Sequence, residues 1–192
     1  MELLTERLRL RSCREEDLKP LAAAIAPPAV SDWLCNLPRP YTLADAREFM
    51  QRTAAPGAGW EGIIALRDSD ALIGGVRLTQ SAAPGEQPVL AAPSAPAERQ
   101  QPREATLGYW VARARWGKGY ATEAASALLA WGFRELKLER VSASTLPGNR
   151  PSQAVLRRLG FRYTGMRPTK TGTCGTCDTQ RVPHYLLERP TH

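Results

Sequence analysis

Residues 115–124 read RWGKGYATEA. Two glycines, Gly117 and Gly119, bracket Lys118, and a helical pattern follows. Ala121, Ala124, Ala125, Leu128, Gly132 and Leu136 fall on one face. The segment before it, EATLGYWVAR at 104–113, reads as a strand. A strand that runs through a glycine turn into a helix has the parts of an anion site. The first helical turn carries up to four N–H groups without intrahelical partners, and the helix dipole reinforces them. Glycine lets backbone approach an anion with no Cβ between them. Other phosphate loops fit less well. A dinucleotide fingerprint needs a third glycine where Thr122 stands, and a nucleotide P-loop needs Ser or Thr where Gly119 stands. By themselves, two glycines fit a structural turn equally well.

The next segments add weight. ERVSAST, residues 139–145, reads as a second strand, so strand, helix and strand form a right-handed crossover with parallel strands. NRPSQAVLRRLGF, residues 149–161, reads as a shorter helix. Pro151 suits its first turn and Gly160 its stop. Asn149 and Ser152 stand where it begins. Both helix starts then lie at the C-terminal edges of neighbouring strands, where α/β units bind ligands. Toward the N-terminus, RLRLRS at 7–12 alternates like a strand, and 15–26 reads as a helix ended by Pro27 and Pro28. A second helix takes Thr42 as N-cap with Asp45 three residues on, and Pro56-Gly57 as its stop. Residues 59–80 read as a hairpin around Asp68, Ser69 and Asp70, with Gly74 and Gly75 marking a bulge or close contact. Residues 161–166 and 181–188 read as strands joined by the loop at 169–180, TKTGTCGTCDTQ. Residues 81–103 are rich in Ala, Pro, Gln and Ser without periodicity, a flexible insertion inside one domain spanning 1–192.

The paired motifs resemble the GNAT superfamily of N-acetyltransferases, closest to its ribosomal-protein N-terminal (RimJ/RimL-type) branch. That family's pyrophosphate loop reads Gln/Arg-x-x-Gly-x-Gly/Ala, and Trp116, Gly119 and Ala121 occupy the specified places. Trp116 departs from the usual Gln or Arg. The later pattern NPxS…LxKLGF is met by Asn149, Ser152, Leu156, Leu159, Gly160 and Phe161, with Arg158 for the lysine. The resemblance implies an α+β (α/β/α) fold. Its mixed, mostly antiparallel sheet would have about seven strands, with a central splayed parallel pair and about four flanking helices. It also implies acetyl-CoA as co-substrate and a primary amine as acceptor, a protein N-terminus or a small molecule. Gly117, Lys118, Gly119, Tyr120, Ala121 and Thr122 would hold the pyrophosphate, with Arg115 and Lys118 adding charge. The strand around Trp110 and Val111 would pair with the pantetheine arm, and Asn149 would contact it. For chemistry, Glu104 is the candidate base, and Ser152 the group that serves the departing sulfur. The superfamily's usual acid, a tyrosine, is Leu156 here. Glu123 is read as structural, paired with a neighbouring strand or N–H. The rival from another class is an acyl-CoA-binding module without turnover.

Composition sets the remaining bounds. The chain has 192 residues and a formal charge of +7, with the basic residues dispersed, which favours anionic partners and argues against a polycationic acceptor. Nucleic acid would be met only indirectly, through a ribosomal substrate, and a homodimer is left open. No segment reads as a membrane span or a signal core, so a cytoplasmic location is expected. Four cysteines give no disulfide framework, and Cys174 with Cys177 supplies two local ligands where a structural zinc needs four; no metal is expected. Trp33, Tyr41 and Trp60 are expected to pack in cores.

Overall fold

The computed structural model of the chain describes residues 1–34, 37–54, 59–80, 103–171 and 178–190. Among these, the strands are β1 (Leu3–Leu4), β2 (Leu8–Arg11), β3 (Gly59–Leu66), β4 (Leu72–Gln80), β5 (Glu104–Val111), β6 (Arg140–Ser144), β7 (Arg162–Thr171) and β8 (Asp178–Glu188). The α-helices are α1 (Leu18–Ile25), α2 (Pro28–Ser31), α3 (Leu43–Ala54), α4 (Tyr120–Glu135) and α5 (Arg150–Arg158). The strands form one sheet in the order β1-β2-β3-β4-β5-β6-β8-β7. Only β5 and β6 are parallel; every other neighbouring pair is antiparallel. The mixed, mostly antiparallel sheet with a central parallel pair is therefore as expected.

Alternation along the strands sorts side chains onto two faces and makes two cores. Leu8, Leu10, Ile64, Val76, Leu78, Ala105, Leu107, Val141 and Ala143 pack with α4 and α5. Ile63 and Ala65 point the other way, against Leu18, Leu21 and Ile25 of α1 and Ala46 and Phe49 of α3. Trp110 packs on that second cluster. Helix α4 lies close on its face: a Cβ at Gly132 would come within 2.4 Å of Leu78 Cδ2. Small residues at Ala124, Ala125 and Gly132 allow this approach.

Several local expectations hold. Thr42 and Asp45 cap α3 reciprocally, with the Thr42 N–H donating to Asp45 at 2.6 Å and the Asp45 N–H to Thr42 Oγ1 at 3.4 Å. Gly160, at φ +87°, follows α5 in the left-handed region that stops a helix. Gly74 and Gly75 lie against Trp110: a Cβ on either would come within 2.5 Å of it or closer. The sheet has one strand more than expected because β1 pairs with β2, Leu3 opposite Leu10. The extra helix α2 is a single turn started by Pro28, whose fixed φ suits that place. Strands β7 and β8 extend beyond the expected 161–166 and 181–188, into the expected loop at 169–180. The Pro56-Gly57 stop, Cys174, Cys177 and all of the expected insertion but Arg103 lie outside the described residues. Among the described residues, no helix is long and apolar enough to cross a membrane.

Candidate active site

The 115–124 stretch leaves β5 through a 3-10 turn, Arg113–Arg115, that ends on Arg115. Gly117 and Gly119 both take positive φ, +76° and +81°, where an L side chain is strained. Helix α4 begins at Tyr120, and its first intrahelical bond is Glu123 N–H to the Gly119 carbonyl at 3.0 Å. The N–H groups of Tyr120, Ala121 and Thr122 precede that bond and lie outside the ladder. Beside them, Thr122 Oγ1 is buried without a hydrogen-bond partner. No heavy atom outside the adjoining residues comes within 4 Å of a Cβ built on Gly117. An open glycine, three unladdered donors and an orphaned hydroxyl suit a phosphate. The side chain of Lys118 is exposed over the loop.

Two clamps hold this loop. The Trp116 indole donates to the Val111 carbonyl at 2.6 Å, and Arg113 stacks over the Trp116 ring at 4.6 Å. Trp116 thus fastens the loop to the end of β5, and the Val111 carbonyl is already engaged. The second clamp is Glu123, which accepts from Thr5 Oγ1 at 2.6 Å, from Arg7 N–H at 3.0 Å and from Arg7 Nε at 2.7 Å. Arg7 also donates to the Lys118 carbonyl at 3.1 Å and lies over the Tyr120 ring. The structural reading of Glu123 holds. Arg7, its partner, carried no signal of its own within the alternation of RLRLRS.

The parallel pair opens early. Glu104, Ala105 and Thr106 of β5 pair with Arg140, Val141 and Ser142 of β6, and there the register stops. Strand β5 continues to Val111, still paired with β4 along its other side. Among the described residues, its edge from Leu107 to Val111 has no strand partner on the β6 side, which suits β-type pairing by an extended ligand. Trp110 contributes backbone there, while its ring turns to the α1 and α3 face.

Across the opening stands α5. Asn149 Oδ1 accepts from the Ser152 N–H at 3.1 Å, so Asn149 is the cap and Ser152 is released from capping. The Ser152 hydroxyl instead meets Tyr109 of β5: the two oxygens lie 2.9 Å apart, and the phenol also reaches the Ser152 carbonyl at 3.1 Å. Burial, opposed by the Ser152 hydrogen bond, pushes the Tyr109 phenol up to about 12, so it stays protonated at neutral pH. Sequence reasoning missed Tyr109. Its signal was strand alternation, which puts it with Leu107 and Val111 on the face of α5 rather than with Trp110.

On the opposite face, that of α1 and α3, lie Glu104, Thr106, Gly108 and Trp110. Thr106 Oγ1 and Ser142 Oγ are 3.1 Å apart at the last parallel pair. Glu104 stands at the closed end of the pair, half-exposed, with Arg140 at 3.4 Å. At the open end, Ser144 of β6 is opposite His184 of β8, so both share this face. His184 Nδ1 lies 2.7 Å from Thr164 Oγ1, and that hydroxyl also donates to the His184 carbonyl at 3.3 Å. The tautomer in which Nδ1–H donates to Thr164 is the one that leaves the Nε2 lone pair available. Burial first, then the nearby Arg167, hold the His184 imidazole below its ordinary value. Of the aromatic residues, Tyr41 packs in the α1 and α3 core, Trp60 on the other face, and Trp33 is exposed. Among the described residues, no group of three or more His, Cys, Asp and Glu side chains could hold a metal ion.

Comparison with known proteins gives concordant matches. Residues 7–162 match a family model described as an acetyltransferase (GNAT) domain. The chain is 30% identical over 170 residues to p20 of Bacillus licheniformis, named as an uncharacterized N-acetyltransferase; the match covers 85% of this chain and 84% of that one. Among solved structures, it is similar to a GNAT-family acetyltransferase from Bacillus anthracis, with TM-score 0.72 and 23% identity over 98% of each chain. It is also similar to Mycobacterium smegmatis RimJ, solved in complex with CoA-disulfide. That match has TM-score 0.73 and 21% identity and covers 94% of this chain and 81% of that one. At these identities the two structures speak for the fold.

Proposed function

The chain belongs to the GNAT acetyltransferase family, and from that premise we propose that it transfers the acetyl group of acetyl-CoA to a primary amine by direct attack in a ternary complex. The observation that carries the reading is the free β5 edge from Leu107 to Val111 leading into the unladdered N–H groups of Tyr120, Ala121 and Thr122. Gly117 to Thr122 hold the pyrophosphate, with Arg115 and Lys118 supplying charge. The β5 edge around Trp110 aligns the pantetheine arm, and Asn149 fixes the turn beside it. When bound, acetyl-CoA supplies an activated acyl group as a thioester. The test is release of free thiol with a broad amine panel, with the acetylated amine identified by mass spectrometry. Tight CoA binding with no release above hydrolysis would leave a binding module instead.

Tyr109 and Ser152 serve the departing sulfur. The Tyr109 phenol lies within reach of both the Ser152 carbonyl and Ser152 Oγ, so when the serine hydroxyl turns its proton into the opening between β5 and β6 the phenol can swing its own proton from the carbonyl to Oγ. Ser152→Ala should lower kcat by about 10–100-fold, in the range of a lost proton-transfer or hydrogen-bond partner. Tyr109→Phe should lower it by a similar factor. The double variant should cost little more than either single one, because the two oxygens act as a unit. Full additivity would show that they act independently.

The base must take a proton from the amine on the face of α1 and α3. Glu104, the candidate from the sequence, lies there at the closed end and is engaged by Arg140. His184 lies at the open end, beside Ser144. The Thr164 hydroxyl orients it, and burial first and then the cationic Arg167 favour its neutral form. This geometry favours His184. A lowered pKa leaves the imidazole unprotonated at pH 7, and protonation removes the lone pair. The rate should therefore be full at neutral pH and fall as the pH drops through a value below 6.5. His184→Gln should lower kcat about tenfold or more and abolish that limb, while CoA affinity is unchanged. If Glu104→Gln removes the limb and His184→Gln keeps it, the base is Glu104.

A further inference from the structure

We propose that the acceptor carries an anionic group close to its amine and that Arg77 binds it. The proposal rests on the acetyl-transfer reading and names the class of acceptor within it. Arg77 of β4 stands opposite Gly108 of β5, on the α1 and α3 face. A Cβ on Gly108 would lie 2.8 Å from Arg77 Nε, 3.2 Å from Cγ and 3.5 Å from Cδ. The arginine side chain thus lies flat across the backbone of Gly108, in space that any larger residue would claim. Gly108 is two residues beyond Thr106, where the pairing with β6 ends. The guanidinium is carried over β5 at the open end of the parallel pair.

The charges around it are already paired among themselves. Glu61 stands opposite Arg77 on β3, but its carboxylate is held by Arg52 of α3 at 3.1 Å. Glu104 is held by Arg140 at 3.4 Å. Among the described residues, Arg77 makes no ion pair, and it is exposed. Such a guanidinium offers five donors in a planar fork that matches a carboxylate or phosphate. On the far side of the opening stands His184. Three strand spacings separate β4 from β8, so the backbones of Arg77 and His184 are at least roughly 14 Å apart where β5 and β6 part beyond Thr106, and Arg77 leans one strand inward. An amine attacking between them would have its base toward β8 and an anionic substituent, a few bonds away, toward β4.

Two sources share this chemistry, a free amino acid and the acidic N-terminus of a peptide. Matched probes separate them: L-serine against L-serinamide, and Ser-Asp-Ala against Ser-Asn-Ala. The wild-type protein should prefer the carboxylate-bearing member of at least one pair by ~10–100-fold in kcat/KM, mainly through KM, as for a charged hydrogen bond. The pair that responds identifies the source. Arg77→Gln should bring that ratio to within about threefold, and Arg77→Lys should retain part of it, because lysine keeps the charge without the fork. Equal use of both members of both pairs by the wild-type protein would overturn the proposal, as would a preference that survives Arg77→Gln. Absence of thiol release with these probes and with the broad amine panel would instead overturn acetyl transfer itself.

Discussion

Gly119→Asp should weaken CoA binding by ~100-fold or more while Gly119→Asn stays within about tenfold of wild type, measured by titration calorimetry. Both side chains tolerate a left-handed backbone, so φ +81° at Gly119 penalises them alike. Both meet only the Arg7 guanidinium, 3.5 Å from the added Cβ. What differs is charge. A carboxylate at the N-terminus of α4 would compete for the N–H groups of Tyr120, Ala121 and Thr122 and repel a pyrophosphate. It would suit the helix dipole, which offsets part of the backbone strain, so Gly119→Asp should be thermally no less stable than Gly119→Asn. The opposite signs of the two effects make the comparison informative. If Gly119→Asp and Gly119→Asn bind CoA equally well, the loop does not hold the phosphates. If both lose binding together, backbone geometry and not charge sets the affinity.

The order of elements was legible because each carries its own local signal. Glycines and proline bound α4 and α5, two-residue alternation marks β2, and the turn residues Asp68 to Asp70 mark the β3–β4 hairpin. The parallel crossover follows from strand, helix and strand in succession. The helix-start donors at 120–122 were legible for the same reason, since they follow from where α4 begins. What the sequence could not show is cross-strand company. Whether Tyr109 or Trp110 faces α5 depends on the phase of one strand, and both phases put an aromatic residue on each face. Asn149 and Ser152 both stand at the start of α5 in the sequence, and only the structure shows that Asn149 takes the capping bond while the Ser152 hydroxyl meets Tyr109. Glu104 reads as the candidate base, and only the register with Arg140 shows that it stands at the closed end of the parallel pair. His184 lies 80 residues from Glu104 in sequence, yet β8 inserts beside β6 and puts it at the opening. Arg77 has no motif at all; only the register that sets it over Gly108 gives it a direction.

Arg11→Met should be the most destabilising of these substitutions, by about 3–5 kcal/mol, the range for breaking a buried ion pair. Arg11 is 3% exposed and Asp17 4%. The guanidinium holds Asp17 with two bonds, at 2.6 and 3.1 Å, and reaches Asp70 at 3.1 Å. It thereby ties β2 to the turn that begins α1 and to the β3–β4 hairpin. Methionine fills much of the volume but strands the Asp17 carboxylate without its counter-ion. Arg11→Met with Asp17→Leu removes both charges, and should recover most of the loss if the penalty is an unpaired charge and not lost packing. Asp70 adds a pH signature. Its burial opposes ionisation, but the Arg11 hydrogen bond and the charges of Arg11, Arg14 and Arg9 outweigh that and hold it below the usual carboxylate value. A carboxylate depressed on folding stabilises above its unfolded pKa, and that contribution is lost as pH falls through the lower folded value. Arg11→Met should flatten this acid dependence as well as lower the urea midpoint at pH 7. An equal loss in the single and double variants would place the energy in packing. Because α1 and α3 wall the proposed acceptor face while α4 follows the proposed phosphate loop, the partly loosened single variant should lose acceptor turnover before it loses CoA affinity. Titration of both activities against urea would show that order, and simultaneous loss would show that the two faces unfold as one unit.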